Sequence, residues 1–178
     1  MSERPDQTTK ANKPVGDARD TYGALSIGAW VAVAILAINV SHFVGEEVGG
    51  IVFESEGALL AIFNGFWIGI LKASPTICIA AALIDFAFFF HRCGEGDVYS
   101  SRNVKTLRTG ADSLIAAAIM SAVVVPFLLD ILGEPDPGRI FRFSDLALGV
   151  GLMGAALHGF ALVLKDAVAL KEDNDQFV

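Results

Sequence analysis

Apolar residues along this chain come in long blocks, and the charges crowd into the segments between them. About 20 consecutive apolar residues suffice for a helix to cross the roughly 30 Å hydrocarbon core of a bilayer. Residues 23–44 form the first such block, where Val31, Val33, Ile35, Leu36 and Ile38 leave no polar face. It fades at Ser41, His42 and Gly45 into an acidic stretch with Glu46, Glu47, Glu54 and Glu56 and no basic residue. The next block, 58–90, exceeds one simple crossing and is interrupted by Lys72, Ala73, Ser74 and Pro75. Proline removes a backbone donor and disfavours helix in the residue before it. The pattern therefore predicts a short helix over 58–72 and a span over 75–92. The short piece suits an interfacial or re-entrant position, with Phe63, Phe66 and Trp67 at the headgroup belt. Two further spans are predicted over 111–132, with Pro126 bending the helix, and over 146–164.

The expected architecture is an all-α integral membrane four-helix bundle with one extra short interfacial or re-entrant helix. Residues 1–22 carry Pro5, Pro14 and mixed charge without a signal-peptide core, and read as a disordered tail. Residues 171–178 form an acidic C-terminal tail, preceded by a helical extension of the last span.

Charge sets the orientation. Arg4, Lys10, Lys13, Arg19, Arg92, Arg102, Lys105, Arg108, Lys165 and Lys171 fall on one side of a four-span layout. Only Lys72, Arg139 and Arg142 fall on the other. Basic residues in short loops mark the cytoplasmic side, so both termini are expected there. A fifth crossing at 58–72 would place Arg102, Lys105 and Arg108 outside, against that rule.

Between the second and third spans, residues 100–110 read as an amphipathic helix. Ser100 or Ser101 can cap its start. Val104 and Leu107 face one side, while Arg102, Lys105 and Arg108 face away toward headgroups or a docking partner. The run Tyr99-Ser100-Ser101-Arg102-Asn103-Val104-Lys105-Thr106-Leu107 resembles the linker of a bacterial family, domain-of-unknown-function family 2975, where phenylalanine takes the place of Tyr99. The acidic end, Leu170 to Val178, is similar to that family's tail. The resemblance, over roughly 24–178, implies a small four-span inner-membrane protein. It implies no enzyme chemistry. It also implies a cytoplasmic partner, since members look like companions of a small helix-turn-helix regulator.

Candidate chemistry is sparse. A net charge of −7 argues against a basic nucleic-acid surface. Charged side chains inside spans are costly, so Asp85 stands out, with His158 as its expected partner. At 1.5 Å per residue they lie about 15 Å and 18 Å from the outer ends of their spans. Such a pair reads either as a proton-linked or ligand-sensing site or as an interhelical hydrogen bond. Asn39, Lys72 and Asp130 form an outer polar set, in which Lys72 and Asp130 could pair or snorkel to headgroups. Asp112 is expected to face solvent or Arg108. His42 and Glu46, four residues apart, are weak metal ligands, and no metal or other cofactor is expected. Ser113 and Ser121 have no histidine base, so no catalytic residue is predicted. Small residues at Gly151, Ala155 and Gly159, at Ser113, Ala117 and Ser121, and at Gly65 and Gly69 predict close helix packing within the monomer or between copies.

The reading that follows is a membrane protein, not an enzyme, that acts through its cytoplasmic linker helix and C-terminal extension as a sensor or regulatory partner. Its alternative is a small oligomeric transporter or channel subunit using Asp85 and His158.

Overall fold

The computed structural model describes residues 14–54, 59–133 and 145–175, and these are helical apart from the turns. Helix α1 runs Pro14–Glu54 and α2 Leu59–Gly94; α3 (Ser101–Ile119) continues through a π turn, Met120–Val124, into α4 (Val125–Ile131), and α5 spans Asp145–Asp175. Four stretches are long and apolar enough to cross a membrane: Ala18–Glu46, Phe63–Gly94, Ser101–Ile131 and Asp145–Lys171. The all-α bundle and the number of span-length helices are those expected.

Three boundaries differ from the sequence pattern. First, helix begins at Pro14, inside the segment predicted to be a disordered tail. Proline at a first helical position loses nothing, because that amide has no intrahelical acceptor. Tyr22 then has a packing partner, lying 3.6 Å from where a Cβ on Gly94 would be. Residues 1–13 and 176–178 lie outside the described residues.

Second, α2 passes through Pro75 without a break, so 58–72 is not a separate helix. Pro75 has no amide to give to the carbonyl of Leu71, four residues back. The Ser74 hydroxyl donates to that carbonyl instead, at 2.7 Å. The orphaned acceptor is thereby satisfied within the helix, as a low-dielectric surrounding demands.

Third, the irregularity near Pro126 takes the form of a π turn just before it, where the amide of Val125 donates to the carbonyl of Met120. The wider turn accommodates the missing proline donor while the rod continues.

Successive helices pack in chain order: α1 on α2, α2 on α3, and α3 on α5. The first pair is antiparallel. Ser26 donates to the carbonyl of Ala87 at 3.1 Å, and Trp30 meets Phe88 edge to face at 5.7 Å. At the opposite end Val40 and Phe43 share a cavity with Ala73 and Thr76.

The α3–α5 contact depends on small residues. A Cβ on Gly154 would stand 3.0 Å from the carbonyl of Ala111, and one on Gly151 would stand 3.1 Å from Ala118. The packed stripe of α5 is thus Ala147, Gly151, Gly154, Ala161, Leu164 and Val168 rather than the expected Gly151, Ala155 and Gly159. Ala155 and Gly159 are exposed, and a Cβ on Gly159 would have no neighbour within 4 Å among the described residues. On α3 Ala117 is buried and Ser113 half-buried, and Ser121, in the π turn, is half-buried too. Gly65 and Gly69 are both buried. Elsewhere α1 and α5 expose large apolar side chains such as Ile27, Ile38, Leu152 and Val163, as a lipid-facing surface would.

Candidate functional site

The most elaborated polar structure lies where α2 ends and α3 begins, at the end of the bundle that carries both described chain ends. Helix α2 stops in a Schellman arrangement. Gly96 takes the left-handed φ of +91°, its amide donates to the carbonyl of Cys93 at 3.1 Å, and the amide of Asp97 donates to that of Arg92 at 3.0 Å. Ser100 then caps α3, one of the two serines expected to do so: its hydroxyl accepts from the amide of Asn103 at 3.2 Å and donates to Asp97 Oδ2 at 2.9 Å.

Asn103, completely buried, closes the turn. Its Nδ2 donates to the carbonyl of Asp97 at 2.6 Å and points at Cys93 Sγ at 3.5 Å. Its Oδ1 has no partner among the described residues. One turn on, Thr106 accepts from Arg92 Nη1 at 2.9 Å, bracing α3 against α2.

The opposite face of α3 makes a core. Val104 and Leu107 pack with Ala161, Leu164 and Val168 of α5, and Phe86 and Phe89 of α2 close it. The α5 extension continues over the turn, with Lys171 Nζ 6.0 Å from the centroid of the Tyr99 ring. Arg102, Lys105 and Arg108 are exposed, as their helical phase predicts. Lys105 and Arg108 join Lys165 of α5, which sequence reasoning did not single out for the site, along a groove of about 330 Å³.

The expected pairing of Asp85 with His158 is not what the structure shows. His158 Nδ1 lies 2.7 Å from Asp112 Oδ1, and Asp112 also approaches Arg108 Nε at 3.9 Å. Asp85 faces Gly110 instead: a Cβ there would stand 3.2 Å from Asp85 Cβ and 2.7 Å from the Phe86 ring. Equal depth along two helices permits a contact only if the helices are neighbours. Here the extensive packing of α5 is against α3, and it is the α3 side chain Asp112 that His158 meets.

The family model described as "Protein of unknown function (DUF2975)" matches residues 66–178. The chain belongs to that family. No curated protein and no solved structure matches the chain. The family match takes in nearly all of α2, together with α3, α4 and α5, so the Ser100–Asn103 turn, the groove and the Asp112–His158 pair lie within the family domain. Helix α1 precedes it. The linker residues that carry the family likeness therefore have structural roles: Ser100 caps, Asn103 locks, and Val104 and Leu107 pack.

The outer polar candidates only partly converge. Asn39, His42 and Lys72 line a cavity of about 270 Å³ between α1 and α2. The Asn39 amide donates within its own helix, to the carbonyl of Ile35 at 3.0 Å. Asp130 is exposed on α4 and is not part of that cavity. His42 and Glu46 lie 3.6 Å apart and are largely exposed, with side-chain accessibilities of 72% and 68%. No group of three or more metal-ligating side chains occurs among the described residues.

Proposed function

We propose that this family member is a non-enzymatic protein of the bacterial inner membrane that works as a sensor or regulatory partner through the α2–α3 turn and the α5 extension, both facing the cytoplasm. One observation carries this reading: the linker and the far end of α5 form a single packed unit rather than loose connections. Val104, Leu107, Ala161, Leu164 and Val168 give it a core, and Asn103 fixes its turn. A fixed surface with Arg102, Lys105, Arg108 and Lys165 exposed suits a specific docking partner. The excess of basic residues at this end supports the cytoplasmic side.

A photo-crosslinking side chain placed at Arg102 in membranes should give one discrete protein adduct, whereas placement at Ile27, on the apolar surface of α1, should give lipid adducts only. The same products from both positions would defeat the reading.

The second reading, a small oligomeric transporter or channel subunit, draws on the Asp112–His158 contact, a polar pair inside two span-length helices. Under it, Asp112→Asn or His158→Ala would abolish a proton or ion flux in liposomes. Fluxes unchanged from wild type would remove its basis.

A further inference from the structure

We propose that the groove between the start of α3 and the second half of α5 is a binding site for one anionic glycerophospholipid. Its phosphate would sit among Lys105, Arg108 and Lys165, and an acyl chain would lie along Val104, Ala161 and Val168. The inference rests on the membrane reading of the chain and not on the existence of a protein partner.

The groove joins two chemistries. Val104, Ala161 and Val168 are buried and apolar, whereas Lys105, Arg108 and Lys165 are exposed. Its volume of about 330 Å³ reaches the range of sites that hold organic ligands, roughly 300–1,000 Å³. A free anion would use only the charged part and leave the apolar wall without an occupant. An amphiphile with a phosphate at one end uses both.

Position favours a lipid as well. The groove lies at the charged ends of two span-length helices, Ser101–Ile131 and Asp145–Lys171. Inward of Arg108 and Lys165 lies the Asp112–His158 pair, and beyond it both helices carry no charge for about four turns, so the groove sits at the charged rim of the spans, the depth of headgroups. Basic pockets between helices at that depth bind anionic headgroups, each cation contributing about 1 kcal/mol.

The cations are available to a ligand. Lys105 and Lys165 form no ion pair among the described residues. Among the described residues Arg108 is held only by Asp112 at 3.9 Å, near the outer limit of an ion pair. Asp166, next to Lys165 in the chain, is exposed and does not line the groove.

Native mass spectrometry of the purified full-length protein, titrated with phosphatidylglycerol or phosphatidylcholine, tests the site. One phosphatidylglycerol per chain should be retained, preferred more than about tenfold over phosphatidylcholine. Lys105→Ala, Arg108→Ala and Lys165→Ala should each weaken retention about fivefold. Arg102→Ala, which removes a neighbouring exposed charge outside the groove, should change it less than about twofold. Ala169→Trp, which fills the groove from an exposed position and leaves every charge in place, should also displace the lipid. Soluble glycerol phosphate in excess should not compete. Equal retention of the two lipids would overturn the proposal, and so would equal loss from Arg102→Ala and Lys165→Ala. Displacement by glycerol phosphate would overturn it in favour of a free-anion site. Only the purified chain and lipid are measured, so failure to find a protein partner leaves this result standing, and the reverse also holds.

Discussion

At the scale of single residues, Asn103 does most to shape the candidate site. Its amide bridges the end of α2 and the start of α3 from a position with no access to solvent. Deleting one partner of a buried hydrogen bond costs about 1–3 kcal/mol, because the other is left without water or protein. Asn103→Asp is the sharper probe. It keeps the shape but sets an acceptor against the carbonyl of Asp97, so it should destabilise more than Asn103→Ala does in thermal unfolding in detergent. Equal effects would mean that Asn103 acts by packing alone. The contact between Asp112 and His158 makes a second prediction at this scale. A double-mutant cycle with Asp112→Ala and His158→Ala should return a coupling of about 0.6 kcal/mol, the usual size for an interhelical hydrogen bond in a membrane. The same cycle on Asp85 and His158 should return none.

At the scale of elements, α2 shows how a proline is carried through a long apolar helix. The carbonyl freed by Pro75 is the one that Ser74 occupies. Ser74→Ala should therefore cost about 1 kcal/mol in the wild-type chain. In a Pro75→Ala background, where the backbone amide returns, it should cost little. Measuring all four combinations by unfolding in detergent separates this from a plain loss of side-chain contact; an equal cost in both backgrounds would refute the compensation.

For the whole molecule, the packing order places the start of α1, the α2–α3 turn and the end of α5 at one end of the bundle. Tyr22 beside Gly94 and Lys171 over Tyr99 fix this. Single cysteines at Asp97 and at Leu132, in a chain whose Cys78 and Cys93 have been replaced, should be labelled from opposite faces of the membrane. Asp97 should react from the cytoplasmic face, where its basic neighbours belong. Labelling of both from one face would rule out four crossings.

Much of this architecture was legible in the sequence because it depends on local quantities. Apolar length marked the blocks, the basic residues Arg102, Lys105 and Arg108 argued against a fifth crossing at 58–72, and helical phase put Val104 and Leu107 inward and Arg102, Lys105 and Arg108 outward. Side-chain chemistry restricted the cap of α3 to Ser100 or Ser101. The exceptions had two physical causes. The break at Lys72–Pro75 was expected from the missing proline donor alone, and a side chain one residue away supplied the bond. The partner of His158 was expected from depth alone, and depth says nothing about which helices are neighbours. Close approach of α3 and α5 at Gly154 decided that Asp112 meets His158 and that Lys105, Arg108 and Lys165 border one groove. Those contacts join residues far apart in the chain, so only the tertiary packing could bring them together.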